Sequence, residues 1–179
     1  MKATGIVRRI DDLGRVVIPK EIRRTMRIRE GDALEIFTGK DGEVIFKKYS
    51  PFSELTAFAG EYVASLHTVC GLPCVIADRD NAIAYAGGNK REILERPLSA
   101  QAEELIGARR SFTAGAESAS IPLLRDGDKF RIAAARPILA GGDMLGMIAV
   151  LMEDGRKVGE AEEKLLQAGA LFLGKQMEI

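Results

Sequence analysis

Apolar and polar positions alternate through Thr4-Gly5-Ile6-Val7-Arg8-Arg9-Ile10, with Ile6, Arg8 and Ile10 on one face and Val7 and Arg9 on the other. That is the period of a strand. Asp11-Asp12 breaks it. After Leu13-Gly14 the β-branched run Arg15-Val16-Val17-Ile18 predicts a second strand, and Gly14 supplies the permissive backbone that a tight reversal needs. Pro19 ends the strand and suits the first turn of a helix, which the pattern carries from Lys20 to Arg27. Ile22 and Met26, spaced i and i+4, are expected to face inward, with Lys20, Arg23, Arg24 and Arg27 directed elsewhere. Glu30-Gly31-Asp32 turns the chain into a second hairpin, Ala33 to Phe37 and Glu43 to Lys47, across Gly39-Lys40-Asp41-Gly42.

From Pro51 the period lengthens. Pro51 stands at a helix start with Ser53 and Glu54 in its first turn; Phe52, Leu55, Ala59, Tyr62, Leu66 and Cys70 recur at helical spacing until Gly71-Leu72-Pro73. Val158, Ala161, Leu165, Ala168 and Phe172 define a second long helix at the far end. Between them lie strands at residues 74–77 and 82–85 joined by Asp78-Arg79-Asp80-Asn81, a short helix at 99–108, and strands at 119–124, 129–139 and 144–152. The expected fold is α+β: a small unit at 1–50, then at 51–179 an antiparallel sheet of about five strands with flanking helices.

Charge sharpens the division. The chain is formally neutral, yet residues 1–50 hold twelve Lys or Arg against eight Asp or Glu, and residues 51–179 hold fourteen against eighteen. A neutral total hides an excess of +4 in the first part and −4 in the second. Four short strands and a two-turn helix bury too little apolar surface to stand alone without disulfides or metal, so a second chain must complete the core. Pairing two copies would set their arginines on one two-fold-symmetric surface, the symmetry of a duplex site. Residues 1–36 contain no Phe, Tyr or Trp, the stacking residues of single-strand and RNA binders. Duplex DNA is the favoured partner. The plainer alternative is a solvated basic face.

Gly5-Ile6-Val7-Arg8-Arg9-Ile10-Asp11, followed by Leu13-Gly14-Arg15-Val16-Val17-Ile18-Pro19-Lys20-Glu21-Ile22-Arg23 and Leu34-Glu35-Ile36, resembles the AbrB-type swapped-hairpin DNA-binding domain over nearly all of residues 1–50. The resemblance implies a β-barrel formed by two chains. It also implies DNA gripped by arginines that correspond here to Arg8, Arg9, Arg15, Arg23 and Arg24. With a sensory-looking second domain attached, it implies a regulator of sporulation genes in the forespore, activating some promoters and repressing others. Residues 51–179 resemble a GAF domain in architecture, which implies a sensory or oligomerising role and a small-molecule ligand not identifiable here. The expected assembly is a dimer through 1–50 and a tetramer through 51–179. Leu55, Tyr62, Leu66, Leu165 and Phe172 serve either as seams between copies or as cover for their own sheet.

Other readings have less material. An antitoxin of a toxin-antitoxin pair uses the same DNA-binding fold, but with a short disordered tail rather than a folded domain. An enzyme finds a single histidine, His67, and no nucleophile motif. Cys70 and Cys74, in Cys-Gly-Leu-Pro-Cys, are one residue further apart than the redox spacing and read as buried thiols; with His67 they offer three zinc ligands where a structural site takes four. No resident cofactor or metal is expected. Gly87-Gly88-Asn89-Lys90 lacks the P-loop spacing and reads as a turn, while Arg109 to Ser118, with Arg110, Ser111, Thr113 and Gly115, is either a pocket cover or a surface loop. No apolar stretch of signal-peptide or membrane-spanning length occurs, so the expected location is the cytoplasm, on the nucleoid.

Overall fold

The computed structural model describes residues 4–49, 56–115, 119–154 and 156–178. By its contacts the chain divides into two compact units, Met1–Tyr49 and Ser50–Ile179.

In the first unit, helix α1 (Lys20–Thr25) precedes an antiparallel hairpin of β1 (Leu34–Thr38) and β2 (Val44–Lys48). Both strands begin one residue later than the pattern predicts. The expected hairpin before α1 differs more. Its reversal is present, with Gly14 at φ +76° donating its N–H to the Asp11 carbonyl at 3.0 Å. The arms at 4–10 and 15–19, however, form no strand ladder within the chain. A two-stranded ribbon without a third layer is marginal in water, and Val7, Ile10 and Val17 all stand exposed.

Helix α1 stops at Thr25, two residues short of expectation. Arg27 takes φ +53° and the Ile28 N–H reaches back to the Arg23 carbonyl at 2.7 Å, a left-handed helix stop. Met26 caps the helix, its N–H still donating to the Ile22 carbonyl at 2.9 Å, and is half exposed, against the expectation that it points inward; Ile22 and Arg23 are half-buried. The enclosed Asp32 carboxylate then ties the segment after α1 to β2. It accepts the Arg29 N–H at 2.8 Å and pairs with Lys48 at 3.1 Å, and Lys48 also donates to the Arg27 carbonyl at 3.0 Å.

The second unit opens with helix α2 (Thr56–Cys70); the expected start at Pro51, with Phe52, Ser53, Glu54 and Leu55, lies outside the described residues. Then follow β3 (Cys74–Ala77), β4 (Ala82–Ala86), a 3-10 turn (Lys90–Glu92), α3 (Ala100–Gly107), β5 (Phe112–Thr113), β6 (Ile121–Pro122), β7 (Arg131–Ala140), β8 (Asp143–Leu151) and α4 (Glu160–Gln176). The sheet is antiparallel and runs β4-β3-β8-β7-β5, with β6 also paired to β7. It has six strands rather than five, because Phe112–Thr113, read as loop, pairs with Ala134 and Ala135 of β7.

Period-two alternation sorts the core into two layers. Cys74, Ile76, Ile148 and Val150 face α2 and α4, where Ala59, Val63, Leu66, Leu166 and Leu173 meet them. Val75, Ala77, Met147 and Ala149 face the opposite side, closed by Ile93, Leu98, Ala102 and Ile106. Ser99 caps α3, its hydroxyl accepting the Ala102 N–H at 3.0 Å, and the Asp78 carboxylate accepts the Asp80 and Asn81 N–H groups to turn β3 into β4.

On α4 the buried stripe is Leu166, Gly169, Ala170, Leu173 and Gly174; of the predicted Val158, Ala161, Leu165, Ala168 and Phe172, Val158 and Leu165 pack partly buried against the core and the other three are exposed. Two glycines account for the difference. A Cβ at Gly174 would overlap the Leu139 carbonyl oxygen, and one at Gly169 would lie 2.6 Å from the Tyr62 hydroxyl. A hydrophobicity pattern scores both positions as neutral, whereas the fold uses them for close approach.

Gly174→Ala, and likewise Gly146→Ala, whose Cβ would overlap the Ala77 carbonyl, should each destabilise the second unit by about 3 kcal/mol. Gly60→Ala, inside α2 with nothing within 4 Å of a Cβ, should stabilise it by about 0.5 to 1 kcal/mol. Urea unfolding followed by circular dichroism measures all three; equal midpoints for Gly174→Ala and Gly60→Ala would contradict the close-approach assignment.

Candidate nucleic-acid interface

One arginine of the first unit, Arg15, is fixed by a carboxylate at the chain reversal. Asp11 Oδ1 accepts the N–H of Leu13 at 3.0 Å and of Arg15 at 2.8 Å, while Oδ2 accepts Nε of Arg15 at 2.7 Å. The Arg15 carbonyl accepts the Asp11 N–H at 3.1 Å, closing the turn from the other side. The Arg15 backbone N–H, then its side chain, hold the Asp11 carboxyl below the usual carboxylate range. In the pattern of apolar and polar positions Asp11 shows only as a break in the strand. Its signal was an Asp two residues before a Leu-Gly pair, the arrangement of an Asx turn.

Arg15 is thereby aimed rather than free to wander. Its Nε engages Asp11, and the side chain remains 69% exposed. Arg8 and Arg9 are exposed on the preceding arm, and Arg24 is exposed on α1. Arg23 differs from these four. It is half-buried, and its Nε is enclosed without a hydrogen-bond partner. Four of the five expected arginines are thus exposed, two on the arm at 4–10, one at the reversal and one on α1, and the fifth is partly drawn in.

Beside these cations the same segment exposes apolar side chains: Val7 is 85% exposed, Val17 72% and Leu13 70%. No apolar residue among 4–49 is buried. In a lone chain this unit has no core.

In the second unit, α3, β5 and β6 border a cavity of about 350 Å³ lined by Gln101, Glu104, Leu105, Arg110, Ser111, Phe112 and Ile121. Of the loop expected over such a pocket, Arg109 takes φ +54° and donates to the Gly142 carbonyl at 2.9 Å; residues 116–118, with Ser118, lie outside the described residues. Arg136 fastens β5 to α4, donating to the Phe112 carbonyl at 3.0 Å and to the Glu163 carboxylate at 2.9 Å. Among the described residues no group of three or more His, Cys, Asp or Glu is placed to hold a metal ion. The predicted seam divides: Leu66 belongs to the unit's own core, whereas Phe172 is 42% exposed and packs its ring against Phe58 and Tyr62 at 5.7 and 6.0 Å. Leu171 and Val69 stand exposed on the same two helices.

Comparison with known proteins follows the same division. Residues 54–178 match the family described as stage V sporulation protein T C-terminal, transcription factor, and residues 7–53 match antidote-toxin recognition MazE, bacterial antitoxin. Stage V sporulation protein T of Bacillus subtilis (strain 168) is 49% identical over 179 residues, 99% of both chains. The transition state regulatory protein AbrB of the same organism is 63% identical over 51 residues, 28% of this chain and 52% of that protein. The GAF domain of an Acinetobacter phosphoenolpyruvate-protein phosphotransferase superposes with a TM-score of 0.53 at 13% identity, over 69% of this chain and 81% of that one, a likeness of fold. With an AbrB-like first unit and a GAF-like second one, the chain belongs to the stage V sporulation protein T family of transcription factors.

Proposed function

We propose that the protein regulates sporulation genes in the forespore, activating some promoters and repressing others, by gripping duplex DNA with Arg8, Arg9, Arg15, Arg23 and Arg24 of two paired first units. The observation that carries this is the joint exposure, within residues 4–24, of arginines and of apolar side chains that no part of the unit covers. The apolar set calls for a second copy, which unites two sets of cations on one surface. Guanidinium groups hold phosphates in bidentate fashion or pair with guanine edges. Full-length similarity to a sporulation protein supports the biological setting.

The second unit pairs these dimers into a tetramer through the exposed stripe of Val69, Leu171 and Phe172 on α2 and α4. Its cavity between α3 and β5 receives a small-molecule signal. The expected place of action is the nucleoid of the forespore cytoplasm; no helix among the described residues is long and apolar enough to cross a membrane.

Arg15→Ala and Arg24→Ala should each weaken duplex binding while leaving assembly unchanged. Loss of one phosphate contact should flatten the slope of log K against log[salt] by about 0.9; unchanged affinity and slope in both variants would remove these residues from the DNA face. In sedimentation, a fragment of residues 1–50 should run as a dimer, and Leu171→Glu should convert the full-length tetramer to a dimer. A folded monomeric fragment or an unaltered tetramer would contradict the respective interface. The Asp11 turn supplies a pH dependence. Because its carboxyl titrates below its unfolded value, the turn is fully supported above the ordinary carboxylate range and loosens as pH falls through the lowered folded value. The Arg15 amide resonance should follow that titration at the acidic end, and Asp11→Asn should abolish it.

A further inference from the structure

The spacing of Cys70 and Cys74 speaks against a redox pair, but the fold cancels the extra residue. Cys70 is the last residue of α2 and Cys74 the first of β3. Between them Gly71 takes φ +68°, a left-handed conformation open to glycine, and sends its N–H back to the His67 carbonyl at 2.7 Å. The chain doubles back, and the two sulfurs come to 3.6 Å. They converge on one carbonyl, that of Leu72, which accepts Cys74 Sγ at 3.2 Å, Cys70 Sγ at 3.7 Å and His67 Nδ1 at 2.7 Å. The Leu72 N–H in turn points at Cys70 Sγ at 3.4 Å. Both cysteines are free thiols.

We propose that Cys70 and Cys74 are an oxidation site, a dithiol that a small two-electron oxidant of the peroxide class converts to an intramolecular disulfide. The sulfurs need to close to about 2.05 Å, a movement within the reach of side-chain rotation at a helix terminus. The two cysteines differ in access. Cys74 is fully buried and Cys70 is 6% exposed, so the oxidant meets Cys70 first. Burial, reinforced by Cys70 beside it, pushes the Cys74 thiol well up and keeps its proton in place until that first step is complete. The Cys70 sulfur attacks one peroxide oxygen, the O–O bond breaks, and a sulfenic acid and one water form. The Cys74 sulfur then attacks the Cys70 sulfur, its proton leaving with the sulfenic hydroxyl as a second water. Two thiols and one hydrogen peroxide become one disulfide and two waters; the sulfurs lose two electrons and the peroxide gains them. The bond fastens α2 to β3 across a three-residue loop whose Pro73 carbonyl already accepts the Leu151 N–H at 2.8 Å, beside the Cys70 carbonyl at the end of α2, which accepts Arg156 at 2.7 Å.

The chain has only two cysteines, so the test is unambiguous in the full-length protein. The reduced protein is freed of reductant, treated with one equivalent of hydrogen peroxide under native conditions, denatured, and examined by thiol titration and intact mass. The expected result is loss of both titratable thiols and of about 2 Da per chain, with monomer mobility on a non-reducing gel and full reversal by dithiothreitol. Two surviving thiols, a stable oxygen adduct, or a covalent dimer would each overturn the proposal.

Discussion

Apolar side chains that their own chain leaves in water govern the first unit. Burial of a Val or Ile side chain contributes about 1.5 to 3 kcal/mol, and Val7, Ile10, Val16 and Val17 realise little of it within residues 4–49. What order the lone unit has comes from polar closures instead: the Asp11 turn, the left-handed stop at Arg27, and the Asp32 carboxylate shared by Arg29 and Lys48. These place the arginines without supplying a core. The unit therefore presents an arginine-rich surface, while its apolar side chains find no cover within residues 4–49.

The second unit solves the same problem within one chain. Its sheet is covered on both faces; alternation along β3 and along Met147 to Leu151 of β8 assigns side chains to one of two cores, and the parity inverts at Met144 and Leu145, where the pairing with β7 is irregular. The price is paid in small residues where backbones meet: Gly146 against β3 and Gly174 against β7. The surface left over includes exposed Val69 on α2, Leu171 and Phe172 on α4, and a cavity beside α3, while Arg136 joins the strand at that cavity to α4.

Legibility in the sequence followed the range of the forces involved. Alternation located β3, β4, β7 and β8 to within a residue or two, and helical spacing found both long helices, α4 running four residues beyond the last predicted stripe position, because burial of one face writes itself into every second or fourth position. Charge counting and the motif around Gly14 pointed to the arginine set of the first unit. The arms of the first hairpin were legible as β-forming, yet one chain gives them no partner strand. Phe112–Thr113 escaped because two residues carry no period. The stripe on α4 was misread because its closest contacts are made by glycines, which have no hydropathy to display. The special position of Arg23, and the role of Asp11 in aiming Arg15, depend on hydrogen bonds that side-chain spacing does not encode.

The contact at Gly174 has a mechanical meaning. With helix backbone resting directly on the Leu139 carbonyl, α4 cannot roll about its axis by even one residue, since the next side chain in line would drive a Cβ into the strand. Helix α4 and β7 are therefore held in one rotational register at that contact, and a movement of α4 that preserves it is a tilt or a translation rather than a roll.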